Sequence, residues 1–211
     1  EILTDPSYKG QILVLSYPLI GNYGVGKDET VGGLLQGFES DRVQIKALIV
    51  SQHSLHYSHC SASRGLDEWL REHEVPALSG IDTRMLTKRL REKGSMLGKI
   101  ELENEPLEFY DPNADNLASL VSVTRPIRYV KGKKTVVVVD CGAKSSIVRS
   151  LLERNITVLR VPWDYDFLDE TFDGVVISNG PGDPKSCQKT ISHIRKVMDR
   201  RIPVFGVCLG H

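Results

Sequence analysis

Cysteine is scarce and scattered in this sequence. Its four copies, Cys60, Cys141, Cys187 and Cys208, never pair as C-x-x-C, so neither a disulfide scaffold nor a thiolate zinc site is expected. Long apolar runs are missing as well. None approaches the roughly 20 residues that a membrane-spanning helix requires, and residues 1–10, EILTDPSYKG, lack the charged and apolar regions of a signal peptide. There is no excess of charge of either sign: 27 Lys and Arg stand against 27 Asp and Glu, for a formal net charge of 0. That balance argues against a basic surface for nucleic acid or for an anionic membrane. A cytoplasmic, reduced setting is the expectation.

What is present suits a packed core. The hydrophobic share is 40% and the charged share 26%, near the average for globular chains and far from disorder. Acidic and basic residues interleave in LDEWLREHE and TKRLREKG, as on solvated helix faces. The texture changes along the chain. Residues 1–127 mix short strands with helices: an apolar run at 11–15 stops before Pro18, and a strand is expected over 43–50. Residues 65–73 place Leu66, Trp69 and Leu70 on one helical face. A helix over 82–94 has every terminal signal: Asp82 as cap, Met85, Leu86 and Leu90 as stripe, and Gly94 as stop. Residues 101–133 carry little regular pattern and hold the expected domain boundary, giving domains 1–130 and 131–211.

The second region has a steadier rhythm. Apolar strands are expected at 135–139, 156–161, 174–178 and 202–207, with helices over 144–154 and 187–200. Strands that are apolar throughout and alternate with amphipathic helices imply an open, mainly parallel sheet covered on both faces. The expected fold is therefore α/β: a mixed α+β domain followed by this sheet. Ligands of such sheets bind beyond the carboxyl ends of the strands. Three strands end there in polar or glycine-rich segments, DCG, NGPGDP and CLGH.

Gly206-Val207-Cys208-Leu209-Gly210 follows a strand directly. It is the thiol counterpart of the G-x-S-x-G nucleophile elbow, in which a strand turns sharply so that the nucleophile stands above the sheet. The string alone also fits a small cysteine packed at a strand end. Asn179-Gly180-Pro181-Gly182-Asp183-Pro184 follows the preceding strand. It reads either as a tight βα turn or as a rigid loop offering N–H groups to an oxyanion. Two further clusters invite weighing. His53, His56, His59 and Cys60 form H-x₂-H-x₂-H-C, rich in zinc-ligand types, but no helix signal gathers the imidazoles, so a polar surface reading is preferred. Asp140 and Lys144, in DCGAK, are expected to form an ion pair that orders the sheet rim.

Taken together, NGPGDP and FGVCLGH at successive strand ends resemble the triad, or class I, glutamine amidotransferases. LTDPSYKGQI, YPLIGNYG, GIDTRMLTKRLREKG, LGKI, DPN, VVDCGAKSSIVRSLLERN and VPW narrow the likeness to the small subunit of carbamoyl-phosphate synthetase. The resemblance implies Cys208 as nucleophile, with Gly180 and Leu209 supplying oxyanion N–H groups. It further implies that Gly182 lines the glutamine site and that Ser7, in DPSY, reaches the bound glutamine; by its own neighbours Ser7 is part of a turn capped by Asp5. It implies a domain 1–130 that lacks its first strands and docks onto a large synthetase subunit or fused synthetase domain. Residues 131–211 would be the front half of the amidotransferase domain. The family's catalytic His and Glu would lie beyond His211, itself matching a structural histidine, so these residues alone are not expected to turn over glutamine. No cofactor or metal is implied here; ATP and Mg would be used by the large subunit. Two rivals remain: an amidotransferase serving another synthetase, against which DPSY and DTRMLTKRLREKG count, and a non-catalytic docking subunit, against which Cys208 counts.

Overall fold

The computed structural model describes residues 1–101 and 106–211. Residues 102–105, inside the stretch expected to hold the boundary, lie outside the described residues. The chain forms two compact units, and neither is continuous in sequence. One gathers residues 10–28 and 45–112; the other gathers residues 1–9, 29–44 and 113–211. No single cut near residue 130 separates them.

The first of these units is built on a three-stranded sheet in which β1 (Ile12–Ile20), β2 (Ala47–His53) and β3 (Ala77–Leu78) run parallel, with β2 in the middle. Strand β1 does not stop at Pro18. Its pairing with β2 jumps from Leu15↔Val50 to Leu19↔Gln52, a bulge that carries the proline, which has no N–H to donate, out of the ladder. The strand expected over 43–50 begins only at Ala47, because the Gln44 N–H bonds the Leu3 carbonyl instead.

Helix α1 (Leu66–Glu72) buries Leu66, Trp69 and Leu70, the face read from their spacing. Helix α2 (Thr83–Lys93) starts where the Asp82 carboxylate accepts the Met85 N–H and ends at Gly94, whose φ of 79° only glycine adopts without cost. Its apolar stripe is incompletely covered, with Met85 54% exposed. Among the described residues, no helix is long and apolar enough to cross a membrane.

The second unit holds a five-stranded sheet. After the short helix α3 (Leu117–Val121) come β4 (Ile127–Tyr129), β5 (Thr135–Asp140), α4 (Ser145–Glu153), β6 (Thr157–Pro162), β7 (Gly174–Ile177), α5 (Gln188–Asp199) and β8 (Val204–Gly206). The strand order is β8-β7-β5-β6-β4. All neighbours are parallel except β4, which runs antiparallel along β6. The β-branched run at 135–139 forms the central strand because it is buried on both sides. Val137 and Val139 pack with Val161, Phe167 and Val197 on one face; Val138 packs with Val148, Val158 and Leu34 on the other. Leu34 comes from the short hairpin of Thr30–Val31 and Leu34–Leu35, so the early residues complete this core. From β5 the chain moves outward to β6, then returns to the opposite side of β5 for β7 and β8. The order therefore reverses between β5 and β7, and the crevice at their carboxyl ends is the favoured ligand position of such sheets.

Candidate active site

The turns after β5 and β7 meet in that crevice. Asp140, fully buried at the end of β5, folds the first of them. One carboxylate oxygen accepts the N–H groups of Gly142 (2.9 Å) and Ala143 (2.6 Å), and the other accepts Val123 N–H and the Arg160 guanidinium at 2.7–3.0 Å. A buried carboxylate held by three backbone donors and a guanidinium has its charge compensated. The ion pair expected between Asp140 and Lys144 is not formed. Lys144 lies beyond the turn, where its Nζ reaches Asp5 (3.2 Å) and Glu39 (3.7 Å) instead. Burial opposes its charge, yet these carboxylates outweigh that effect and hold its pKa above the ordinary lysine value. The true partner of Asp140 is Arg160 on the adjacent strand, 20 residues on, a pairing that no local spacing announces.

The loop after β7 lies tightly on the loop after β5. A Cβ built on Gly180 would stand 2.1 Å from the Cys141 carbonyl oxygen and 3.2 Å from Leu209 Cδ2. Only glycine fits at that approach. Ser178 ties the two loops, accepting the Cys141 N–H (2.9 Å) and donating to the Asn179 carbonyl (2.7 Å). Gly182 follows at φ 81° beside Leu117.

Cys208 closes the site. Strand β8 ends at Gly206, Val207 donates to the Ile177 carbonyl at 3.0 Å, and Cys208 then takes φ 52°. A non-glycine residue in the left-handed region is strained, and such strain is characteristic of a nucleophile held on a sharp strand-to-helix turn. The flanking glycines permit the turn: a Cβ on Gly206 would meet Gly210 O at 2.3 Å, and one on Gly210 would meet Ile177 O at 2.4 Å. Cys208 is exposed, and the chain continues as a short 3-10 turn through Gly210. Gly180 and Leu209 come together here, with Leu209 Cδ2 standing 3.2 Å from a Cβ built on Gly180. These are the two donors expected of an oxyanion hole, on loops that touch through Leu209.

Ser7 belongs to the same unit. Its 3-10 turn, Pro6–Tyr8, is capped by the Asp5 carboxylate, and its Oγ accepts from Asn179 Nδ2 at 2.8 Å. Asn179, 3% exposed, also accepts the Lys144 N–H through Oδ1 at 3.1 Å. Sequence reading did not single out this side chain, although its place between a strand and a glycine loop was in view. Cys141 and Cys187 lie buried on the core side of the crevice. A hydrogen bond with Cys187, together with burial, pushes the Cys141 pKa far above the ordinary thiol range. The histidines of H-x₂-H-x₂-H-C lie in the other unit, where His59 Nδ1 engages Ser61 Oγ at 2.7 Å. Among the described residues, no three His, Cys, Asp or Glu side chains converge as a metal ion would need.

A strained elbow cysteine and a glycine loop at the switch point of a parallel sheet define the class I glutamine amidotransferases, and residues 137–211 match the family "Glutamine amidotransferase class-I". More narrowly, residues 1–100 match the family "Carbamoyl-phosphate synthase small chain, CPSase domain". The chain is 49% identical over 218 residues to "Multifunctional protein CAD" of Squalus acanthias, covering 100% of this chain and 10% of that protein. It is 44% identical over 216 residues to "Carbamoyl-phosphate synthase [ammonia], mitochondrial" of Homo sapiens, covering 100% of the chain and 14% of that protein. With "Multifunctional protein pyr1-3" of Dictyostelium discoideum the identity is 46% over 235 residues, again 100% of the chain and 10% of the relative. The chain thus spans 10–14% of the length of these three relatives.

Proposed function

We propose that this chain carries the glutaminase site of a glutamine-dependent carbamoyl-phosphate synthase. Cys208 attacks the side-chain carboxamide of glutamine. The tetrahedral oxyanion is held by the N–H groups of Gly180 and Leu209, ammonia departs, and water hydrolyses the thioester to glutamate. Gly182 lines the glutamine site and Ser7 reaches the bound substrate. Proton transfer is assigned to the histidine and glutamate that the resemblance places beyond residue 211. The ammonia passes to a synthetase partner, a large subunit or a fused synthetase domain, which uses ATP and Mg. Carbamoyl phosphate made there would feed pyrimidine and arginine synthesis in the cytoplasm. This subunit's own step needs no cofactor, no metal, no nucleic acid and no membrane.

The observation that carries the reading is the left-handed conformation of Cys208 between two close-packed glycines. A second reading deserves a test because several relatives, the Homo sapiens protein among them, carry "ammonia" in their printed names: a docking part whose synthase takes ammonia directly. The elbow cysteine favours glutamine. Treating the full-length protein with a chloroketone analogue of glutamine should label Cys208 rapidly and leave the other three thiols unmodified. Cys141 and Cys187 are buried, whereas Cys60 is exposed, as Cys208 is, and serves as the control for simple exposure. Peptide mapping that placed the label equally on Cys60 and Cys208 would remove the nucleophile assignment.

A further inference from the structure

Ser178, at 0% exposure, stands between the loops that follow β5 and β7. Its Oγ accepts the Cys141 N–H at 2.9 Å and lies 2.7 Å from the Asn179 carbonyl oxygen. A backbone N–H only donates and a carbonyl only accepts, so the single hydroxyl proton must go to Asn179. That carbonyl and the Gly180 N–H belong to one peptide group. The group is planar and trans, so its C=O and N–H point in opposite directions and neither turns without the other. The serine is itself anchored, since the Ser178 N–H bonds the Val139 carbonyl at 3.1 Å. Beside the same peptide, Gly180 rests against the Cys141 carbonyl with no room for a Cβ.

From this we infer that Ser178 is a positioning residue for glutamine hydrolysis. By holding the carbonyl of the Asn179–Gly180 peptide, it sets the direction of the Gly180 N–H. The inference rests on the glutaminase reading above. The buried hydroxyl acts through Gly180 rather than on substrate. A peptide group freed of this donor turns more easily, and turning takes the Gly180 N–H off the developing oxyanion.

The test uses a glutamine analogue with an aldehyde in place of the carboxamide. A thiol adds across that C=O, sulfur bonding to carbon and the thiol proton passing to oxygen. The adduct mimics the tetrahedral state and draws on the oxyanion donors, whereas binding of glutamine itself draws on them far less. In the full-length protein, Ser178→Ala should lower kcat for glutamine hydrolysis about 10–100-fold, less than outright loss of a donor. The Ki of the aldehyde should rise by a similar factor while the KM for glutamine stays within about 2-fold. Alkylation of Cys208 by iodoacetamide, a displacement at saturated carbon that builds no oxyanion, should keep its rate. If Ser178→Ala opens Cys141 and Cys187 to that reagent, Ser178→Cys replaces it. Its thiol is a weaker donor of similar size, and the same paired change is then expected at about 3–10-fold. A kcat within about 2-fold of wild type would overturn the inference. So would a fall in kcat that leaves the aldehyde Ki unchanged, a KM that rises with the Ki, or alkylation that slows with kcat. A wild-type protein that hydrolyses no glutamine overturns instead the reading beneath it, and this is seen before any variant is compared.

Discussion

Replacing Cys208 by serine is expected to abolish glutamine-dependent carbamoyl phosphate synthesis by the full-length protein and to leave synthesis from an ammonium salt within about 2-fold of wild type. On the proposed function, the two nitrogen sources separate because the elbow cysteine would only release ammonia, whereas phosphorylation and carbamate chemistry would belong to the synthetase partner. Serine preserves the shape of the turn, with φ 52° at the nucleophile and glycines packed on either side. It is a far weaker nucleophile at neutral pH, so glutamine should still bind while turnover stops. The assay is carbamoyl phosphate formation with each nitrogen source in turn. Failure of both in a complex that still assembles would give Cys208 a structural role, and equal success of both would favour the docking reading.

Gly180→Ala is expected to lower kcat for glutamine hydrolysis by about 10²–10³, the usual loss when one oxyanion donor is displaced. A single methyl suffices because the added Cβ would lie 2.1 Å from the Cys141 carbonyl oxygen, a backbone atom that no rotamer change can move. The loop must retreat, and the Gly180 N–H moves with it. Valine would demand a larger shift, so alanine is the sharper probe. Ammonium-dependent synthesis reports on the rest of the protein, and protection of Cys141 and Cys187 reports on the core behind the loop. A kcat within about 2-fold of wild type in a folded variant would take Gly180 out of the site.

Much of this site was legible because its elements are local. The runs at 135–139 and 174–178 are short, β-branched and bounded by polar turns, and both form strands buried on two faces. The elbow and the glycine loop were readable for the same reason, since each follows its strand without an insertion. What escaped were pairings set by distant residues. Lys144 meets Asp5, 139 positions away, and Asp140 meets Arg160 across a strand pair. Spacing rules describe neighbours within a helix or hairpin and carry no information on such partners. Strand β1 running past Pro18 belongs with these, because a bulge is decided by the partner strand rather than by the proline. Asn179 was missed for a subtler reason: as part of a turn motif it reads as backbone chemistry, and its side-chain role becomes visible only once Ser7 stands opposite.

The place of residues 1–9 and 29–44 in the unit that holds the five-stranded sheet also bears on how the protein is made. Glu39 accepts the Ser146 N–H at the start of α4, 107 residues later in the chain, and Leu34 fills the core beside Val148. At synthesis rates of about 5–20 residues per second, these early segments leave the ribosome roughly 5–20 s before their partners. Through that interval a carboxylate destined for the interior stays in water, and Leu34 has no core to enter. The unit that carries Cys208 is thus closed by segments on both sides of residues 45–112, which emerge between them as the larger part of the other unit.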